Sequence, residues 1–330
     1  MSKKNSPYYH YYNNVLKGKT DNSHLIKKMT ERFDIPEENI MLQDLGRHCK
    51  FLSMVICNSE VKYAIPLESK NEILQNIKND FSTGEDLREK HQLILPPFVA
   101  NKDVHRILQT DISSLLEVLE DIYCEKRFAM QITGTYTRIP EFKDYLHLIK
   151  ESIESFYFNN IAAAITLLLT VIEGISREFC EVNKIYYDKN GSSSSFKAVM
   201  KNQKQNWINK VLFYSVDEVP SDYIEDETFL RRIDEGMDLL ISYETYGLNF
   251  LYKSKSEYPL NRHSILHGVN KIFYTKINYY RLFMCIEALA FAVSLNPFSY
   301  NADDVVIESK LIIKFNKIKA LCKLIGKMQN

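Results

Sequence analysis

The run Asn261-Arg262-His263-Ser264-Ile265-Leu266-His267-Gly268 gathers an arginine, two histidines and an amide into one short stretch. Arginine is a permanent cation whose planar fork matches phosphate oxygens. Histidine is the side chain whose ordinary pKa lets it take and give a proton near neutral pH. Together on a helix they are equipment for phosphodiester chemistry. Metal-free RNA cleavage needs a base to take the 2′-OH proton and an acid to protonate the leaving 5′-oxygen, and copies of His267 suit both tasks. Arg262 would hold the phosphate and stabilise the charge that builds in the transition state. Asn261 and His263 are placed to position the phosphate or to orient Arg262.

Helix geometry constrains this reading. Five residues at about 100° each put Arg262 and His267 roughly 140° apart around the axis. They share no face unless the first turn distorts, or unless two copies meet across a two-fold axis and build the site jointly. A rival pairing is His263 with His267, four apart on one face as in His-x3-His zinc sites. Ser264 stands where the metalloprotease version has its glutamate, and no third ligand is nearby, so no metal or cofactor is expected. Glu173 and Glu287 each sit inside an apolar helical stretch, where an unpaired carboxylate is costly. Pairing of one of them with Arg262 or an imidazole would remove that cost; a purely structural ion pair would do so equally.

An arginine and a histidine separated by four to six residues arise about 0.8 times by chance in a chain of this composition, so the flanking residues carry the signal. With Asn261 before the arginine, Ile265-Leu266 before His267 and Gly268 after it, the segment resembles the Arg-x4-His element of HEPN-domain proteins. These are helical bundles common among prokaryotic defence ribonucleases and toxins. The resemblance covers roughly residues 140 to 298. In that family a long helix with an embedded glutamate precedes the Arg/His helix, and Ile161 to Ile172 followed by Glu173-Gly174 is similar to it. Glu173 and Arg177 match a Glu-x3-Lys-Arg pattern of some members only loosely, because the lysine is absent. Val269 stands where one toxin subgroup has a tyrosine, so modification there by a nucleotidyltransferase antitoxin is not expected.

The resemblance implies a mainly α protein with a HEPN-like antiparallel helical bundle and a helical or mixed N-terminal region. It implies a homodimer with a composite site, Arg262 and His267 being catalytic and Asn261, His263 and Glu173 supporting. The implied activity is metal-independent endoribonuclease cleavage of RNA in antiviral defence, abortive infection or a toxin system, with an antitoxin or defence-system partner. The alternative is a non-catalytic helical module that senses a partner or ligand for a larger system.

Forty-two basic residues balance forty-two acidic ones. That argues against a protein coating nucleic acid broadly, though a local basic patch suffices for an enzyme that admits RNA to one cleft. The six cysteines form no Cys-x-x-Cys pair, which supports neither a zinc knuckle nor a secreted disulfide framework. No apolar secretory region follows Met1-Ser2-Lys3-Lys4-Asn5. The longest uncharged apolar stretch, Ile161 to Ile172, is twelve residues against the roughly 20 a span needs. A cytoplasmic protein without membrane contact is expected.

The elements that must position the site read as helices. Ile73, Leu74, Ile77 and Phe81 form a stripe that Thr83-Gly84 should close. Val104, Ile107, Leu108, Ile112, Leu115, Leu116, Leu119 and Ile122 read as one long amphipathic helix starting near Asp103. Pro140 opens another, Asn159-Asn160 breaks it, and Ile161 to Glu181 follows. Further helices are expected at 196–215, 229–251 (weakened by Gly236 and Gly247), from Pro259 to about Gly268, at 275–295 and at 305–328. Leu260, Ile265 and Leu266 should anchor the Arg/His helix. Residues 50–67 fit a hairpin or a helix and strand, and Tyr8, Tyr9, Tyr11 and Tyr12 fit an arm docked on its own domain. The expected division is 1–100, a region of unknown role; 101–300, the helical domain; and 301–330, a C-terminal amphipathic helix.

Overall fold

The computed structural model describes residues 5–18, 21–77, 83–191, 193–253, 260–295 and 305–328. The expected mainly helical class is what these residues adopt, with one small sheet. They form two compact units, each from discontinuous stretches: residues 1–83 with 204–241, and 84–203 with 242–330. The divisions expected at 100 and 300 are not where the units part. No described helix is long and apolar enough to cross a membrane.

The first unit holds the sheet. Strands β1 (Ile40–Leu45), β2 (Phe51–Asn58) and β3 (Val61–Pro66) run antiparallel in that order, with Leu42 opposite Met54 and Val55 opposite Ala64. The stretch 50–67 is therefore the hairpin β2–β3. Ser53 to Ile56 are buried without alternation, as a central strand covered on both faces requires. The exposed backbone of β3 is met by residues far along the chain: Ala64 N–H donates to the Glu218 carbonyl at 2.8 Å, and the Lys62 carbonyl accepts from Asp217 and Glu218. That pairing ties 204–241 to the N-terminal sheet. The tyrosine-rich arm docks on the same unit: Tyr9 Oη donates to Asp222 at 2.7 Å, and the Tyr8 ring packs edge-on against Phe33 and Tyr63.

The second unit is all helix and carries the candidate site. Lys276–Ser294 is its centre: from Asn278 to Val293 every residue but Arg281 is buried, as befits a helix apolar on all sides. The long helix Ile161–Val182 packs against it and against Leu146–Tyr157. Asn160 caps the long helix, its side chain accepting from Ala163 N–H at 3.4 Å. Asn159 makes the preceding turn at φ 61°, a conformation asparagine tolerates. Val305–Met328 forms the last helix as read from the sequence, but it docks only in part. Phe315 and Ile318 are buried, while Leu321 and Leu324 are half exposed.

The expected 229–251 helix is broken at Asp234 into Glu227–Ile233 and Glu235–Tyr246, and two other expected helices differ as well. The Val104–Ile122 stripe is two helices, Asn101–Gln109 and Leu115–Ile122. Thr110 is extended between them, its hydroxyl donating to the Arg106 carbonyl at 2.6 Å, and Ile112 lies exposed. Such side-chain-to-backbone bonds compete with helix continuation. Thr83-Gly84 begins the helix Thr83–His91 instead of ending one, and Phe81 lies outside the described residues.

His91 closes that helix at 2 % exposure. Burial pushes its imidazole below the ordinary 6.5, and the charges of Lys90 and Arg281 add to the effect. The unfolded chain therefore binds this proton at a higher pH than the native one does. The stability His91 contributes is full above about pH 6.5 and is lost as pH falls toward its depressed native value. Urea unfolding at about pH 7.5 and about pH 5.5 should show a smaller acid loss in His91→Met than in wild type. Equal losses would remove His91 from the account.

Candidate functional site

The Arg/His helix is short, Arg262–Leu266, and both of its ends are fixed by local bonds. At the start, Asn261 Oδ1 accepts from Ser264 N–H at 2.8 Å, and its Nδ2 donates to the Lys253 carbonyl. At the end, Val269 N–H donates to the Ser264 carbonyl at 2.8 Å and Gly268 N–H to the Ile265 carbonyl at 3.0 Å. Gly268 takes φ 69°. This is the paired-bond stop that needs a residue in the left-handed region, where glycine is strain-free. Arg262 is thus the first helical residue; Pro259, expected to hold that place, lies outside the described residues. Leu260 and Ile265 are buried as expected, but Leu266 is 41 % exposed. One and a half turns cannot bury neighbours on opposite sides.

Glu173 lies near the middle of the Ile161–Val182 helix, its side chain 9 % exposed. Three groups surround its carboxylate. Arg177 Nε donates to Oε1 at 2.6 Å, Tyr252 Oη donates to Oε2 at 3.3 Å, and Arg262 Nε stands 3.8 Å from Oε2. The bond to Glu173 raises the Arg177 guanidinium above its ordinary value. Burial, and then the Glu173 charge, push the Tyr252 phenol well above its own. Gly174 allows the Tyr145 side chain to come close: a Cβ there would lie 2.4 Å from the Tyr145 ring. Two guanidiniums against one carboxylate leave a net positive charge. Arg262 spends none of its nitrogens on a hydrogen bond among the described residues; Nε is buried without one. Its side chain remains 23 % exposed. That is the condition of an arginine held in place with its fork available to an anion.

The histidines pair with each other. His263 and His267 are both exposed, their rings 4.3 Å apart between centroids and tilted by 49°. The structure therefore brings Arg262 to Glu173 and His267 to His263, and among the described residues no hydrogen bond, ion pair or ring contact joins the two pairs. Asn261 is 1 % exposed. It orients Arg262 by capping the helix and is too deep to reach a phosphate itself. Beyond His267, Val269, Ile272 and Tyr274 are 73 %, 79 % and 56 % exposed. With Leu266 they are exposed apolar residues close to the imidazoles along the chain. Among the described residues no three His, Cys, Asp or Glu side chains are grouped to hold a metal.

Glu287 is elsewhere. It is fully buried on the central helix, accepting from Tyr123 Oη at 2.6 Å and paired with Arg127 at 2.8 Å. Of the two carboxylates that the sequence singles out, Glu173 is the one beside Arg262. Tyr252 escapes sequence reasoning because a tyrosine at a helix end carries no pattern of its own. Arg177, which the sequence shows only as a loose family match, is the i+4 partner of Glu173. Comparison with family models, with curated proteins and with solved structures yields no match.

Proposed function

We propose that this protein is a metal-independent endoribonuclease of the HEPN type, acting in prokaryotic defence or a toxin system. The observation that carries the reading is the Arg262 guanidinium, oriented by buried Glu173 on a doubly capped helix that also presents two exposed imidazoles. In this scheme Arg262 and Arg177 draw the scissile phosphate toward the cluster, and Arg262 stabilises the pentacoordinate charge. His267 takes the 2′-OH proton in one protomer, and its symmetry mate protonates the leaving 5′-oxygen. His263 packs against His267 and limits its motion. Incubation with RNA in chelator, beside Arg262→Ala protein, tests the reading directly.

The two-fold arrangement is needed because Arg262 and His267 leave the helix on different sides. The exposed apolar residues Leu266, Val269, Ile272 and Tyr274, which lie around and after the histidines in the chain, fit a surface that a second copy covers. A homodimer is therefore expected, and Ile272→Asp with Val269→Asp should weaken it. Sedimentation at micromolar concentration checks this; a monomer that cleaves RNA would rule out the composite site.

One observation favours a second reading. Arg262 lies within ion-pair distance of a buried carboxylate, as a structural counter-ion would. The Arg/His helix would then be part of a non-catalytic module that senses a partner or ligand. An inactive wild type whose Arg262→Ala form unfolds would support it.

A further inference from the structure

The second unit contains a cavity of about 580 Å³ against the C-terminal helix, within the range of sites that hold small organic ligands. None of the residues of the Arg262 cluster line it, so a ligand bound there is independent of the ribonuclease reading. Its floor is aromatic: Phe156, Tyr157 and Tyr280 line it, with Phe156 edge-on to Tyr280 at 5.3 Å. The Tyr157 hydroxyl is buried without a hydrogen-bond partner among the described residues.

The rim is basic. Lys276 pairs with Glu120 at 2.6 Å and Lys319 with Glu125 at 2.5 Å. Lys319 Nζ also stands 5.9 Å from the Tyr157 ring centroid. Lys323, the third lysine, has no ion-pair partner among the described residues. Its charge nonetheless reaches the cavity: partial burial raises the Glu125 carboxyl, yet Lys319 and Lys323 hold it below its ordinary value. Three lysines against two glutamates leave one positive charge unmatched. A neutral guest would leave that charge unused, and a cation would be repelled by it. An aromatic floor under a rim with one spare ammonium suits a planar ring joined to an anionic group. Asn159, whose backbone turns at φ 61° beside the cavity, adds an amide able to bond the edge of such a ring.

We propose that this cavity binds a nucleoside monophosphate, its base in the aromatic-lined part beside Phe156, Tyr157 and Tyr280 and its phosphate at Lys323 and Lys319. Two cysteines make the test specific. Cys124 and Cys322 line the cavity and are partly exposed, whereas partly exposed Cys57 belongs to the other unit. Brief alkylation of the full chain, read by peptide mass spectrometry, should label all three. Millimolar AMP should slow labelling of Cys124 and Cys322 severalfold and leave Cys57 unchanged. Adenosine and inorganic phosphate should each protect less than AMP. Lys323→Ala, an exposed position whose loss spares the fold, should weaken the AMP effect about tenfold, as loss of one charge-assisted contact does. Absence of protection by AMP, equal protection of Cys57, adenosine matching AMP, or an unaltered Lys323→Ala would each overturn the proposal.

Discussion

Arg262→Ala and His267→Ala proteins should cleave RNA at least about 10²-fold more slowly than wild type, and His267→Ala by as much as roughly 10⁴-fold. The two losses have different origins. Among the described residues His267 is exposed and bonded to the rest of the chain only through its backbone and its contact with His263, so its removal subtracts proton transfer and leaves the fold. Arg262→Ala subtracts phosphate binding and one neighbour of Glu173. That carboxylate keeps Arg177 at 2.6 Å and Tyr252 at 3.3 Å, so the variant should remain folded by circular dichroism and thermal melting. Wild-type rates in both variants would end the ribonuclease assignment. Glu173→Gln should fall between wild type and Arg262→Ala, since Arg262 would lose its charge partner but keep its capped helix.

The largest effect on stability is expected at Glu287, not at the site. Its carboxylate is fully buried, with Arg127 on one oxygen and the Tyr123 hydroxyl on the other. Burial, with the Glu287 charge next in weight, pushes the Tyr123 phenol far above its ordinary range. Glu287→Ala leaves the Arg127 guanidinium mostly buried without its anion and the Tyr123 hydroxyl without its acceptor. Breaking one side of such a pair costs about 3–5 kcal/mol. Urea unfolding should therefore show a large drop in midpoint, or no folded protein. Glu287→Ala combined with Arg127→Met should recover much of the loss, because the unpaired charge is gone. A Glu287→Ala protein as stable as wild type would contradict the buried pair.

Much of the site is readable in the sequence because its determinants are local. The Asn261 cap at the helix start acts through bonds that span a few residues, but the sequence puts the start at Pro259 instead. Gly268 just past the helix end is equally local, and the sequence shows it. The same holds for Asn160 ahead of the long helix. Nothing local says which of Glu173 and Glu287 meets Arg262, since both are lone carboxylates in apolar helices and only packing separates them. Nor does any local pattern tie residues 217 and 218 to β3, so the discontinuous first unit is not legible. Gly236 and Gly247 read as weak points in a helix. They are places where the Trp207 and Phe196 rings press within 2.2 and 2.3 Å of where a Cβ would stand. Hydrophobicity alone assigns Leu266 to the buried face, and the short helix leaves it on the other side.

The most direct measurement is the chemistry of the product ends. RNA incubated with the wild-type protein in EDTA should yield 2′,3′-cyclic phosphate and 5′-OH termini, because the substrate's own 2′-OH is the nucleophile in imidazole-driven cleavage. DNA of the same sequence, lacking that hydroxyl, should remain intact. Loss of cleavage in EDTA that Zn²⁺ or Mn²⁺ restores, or 3′-OH and 5′-phosphate ends, would contradict the account.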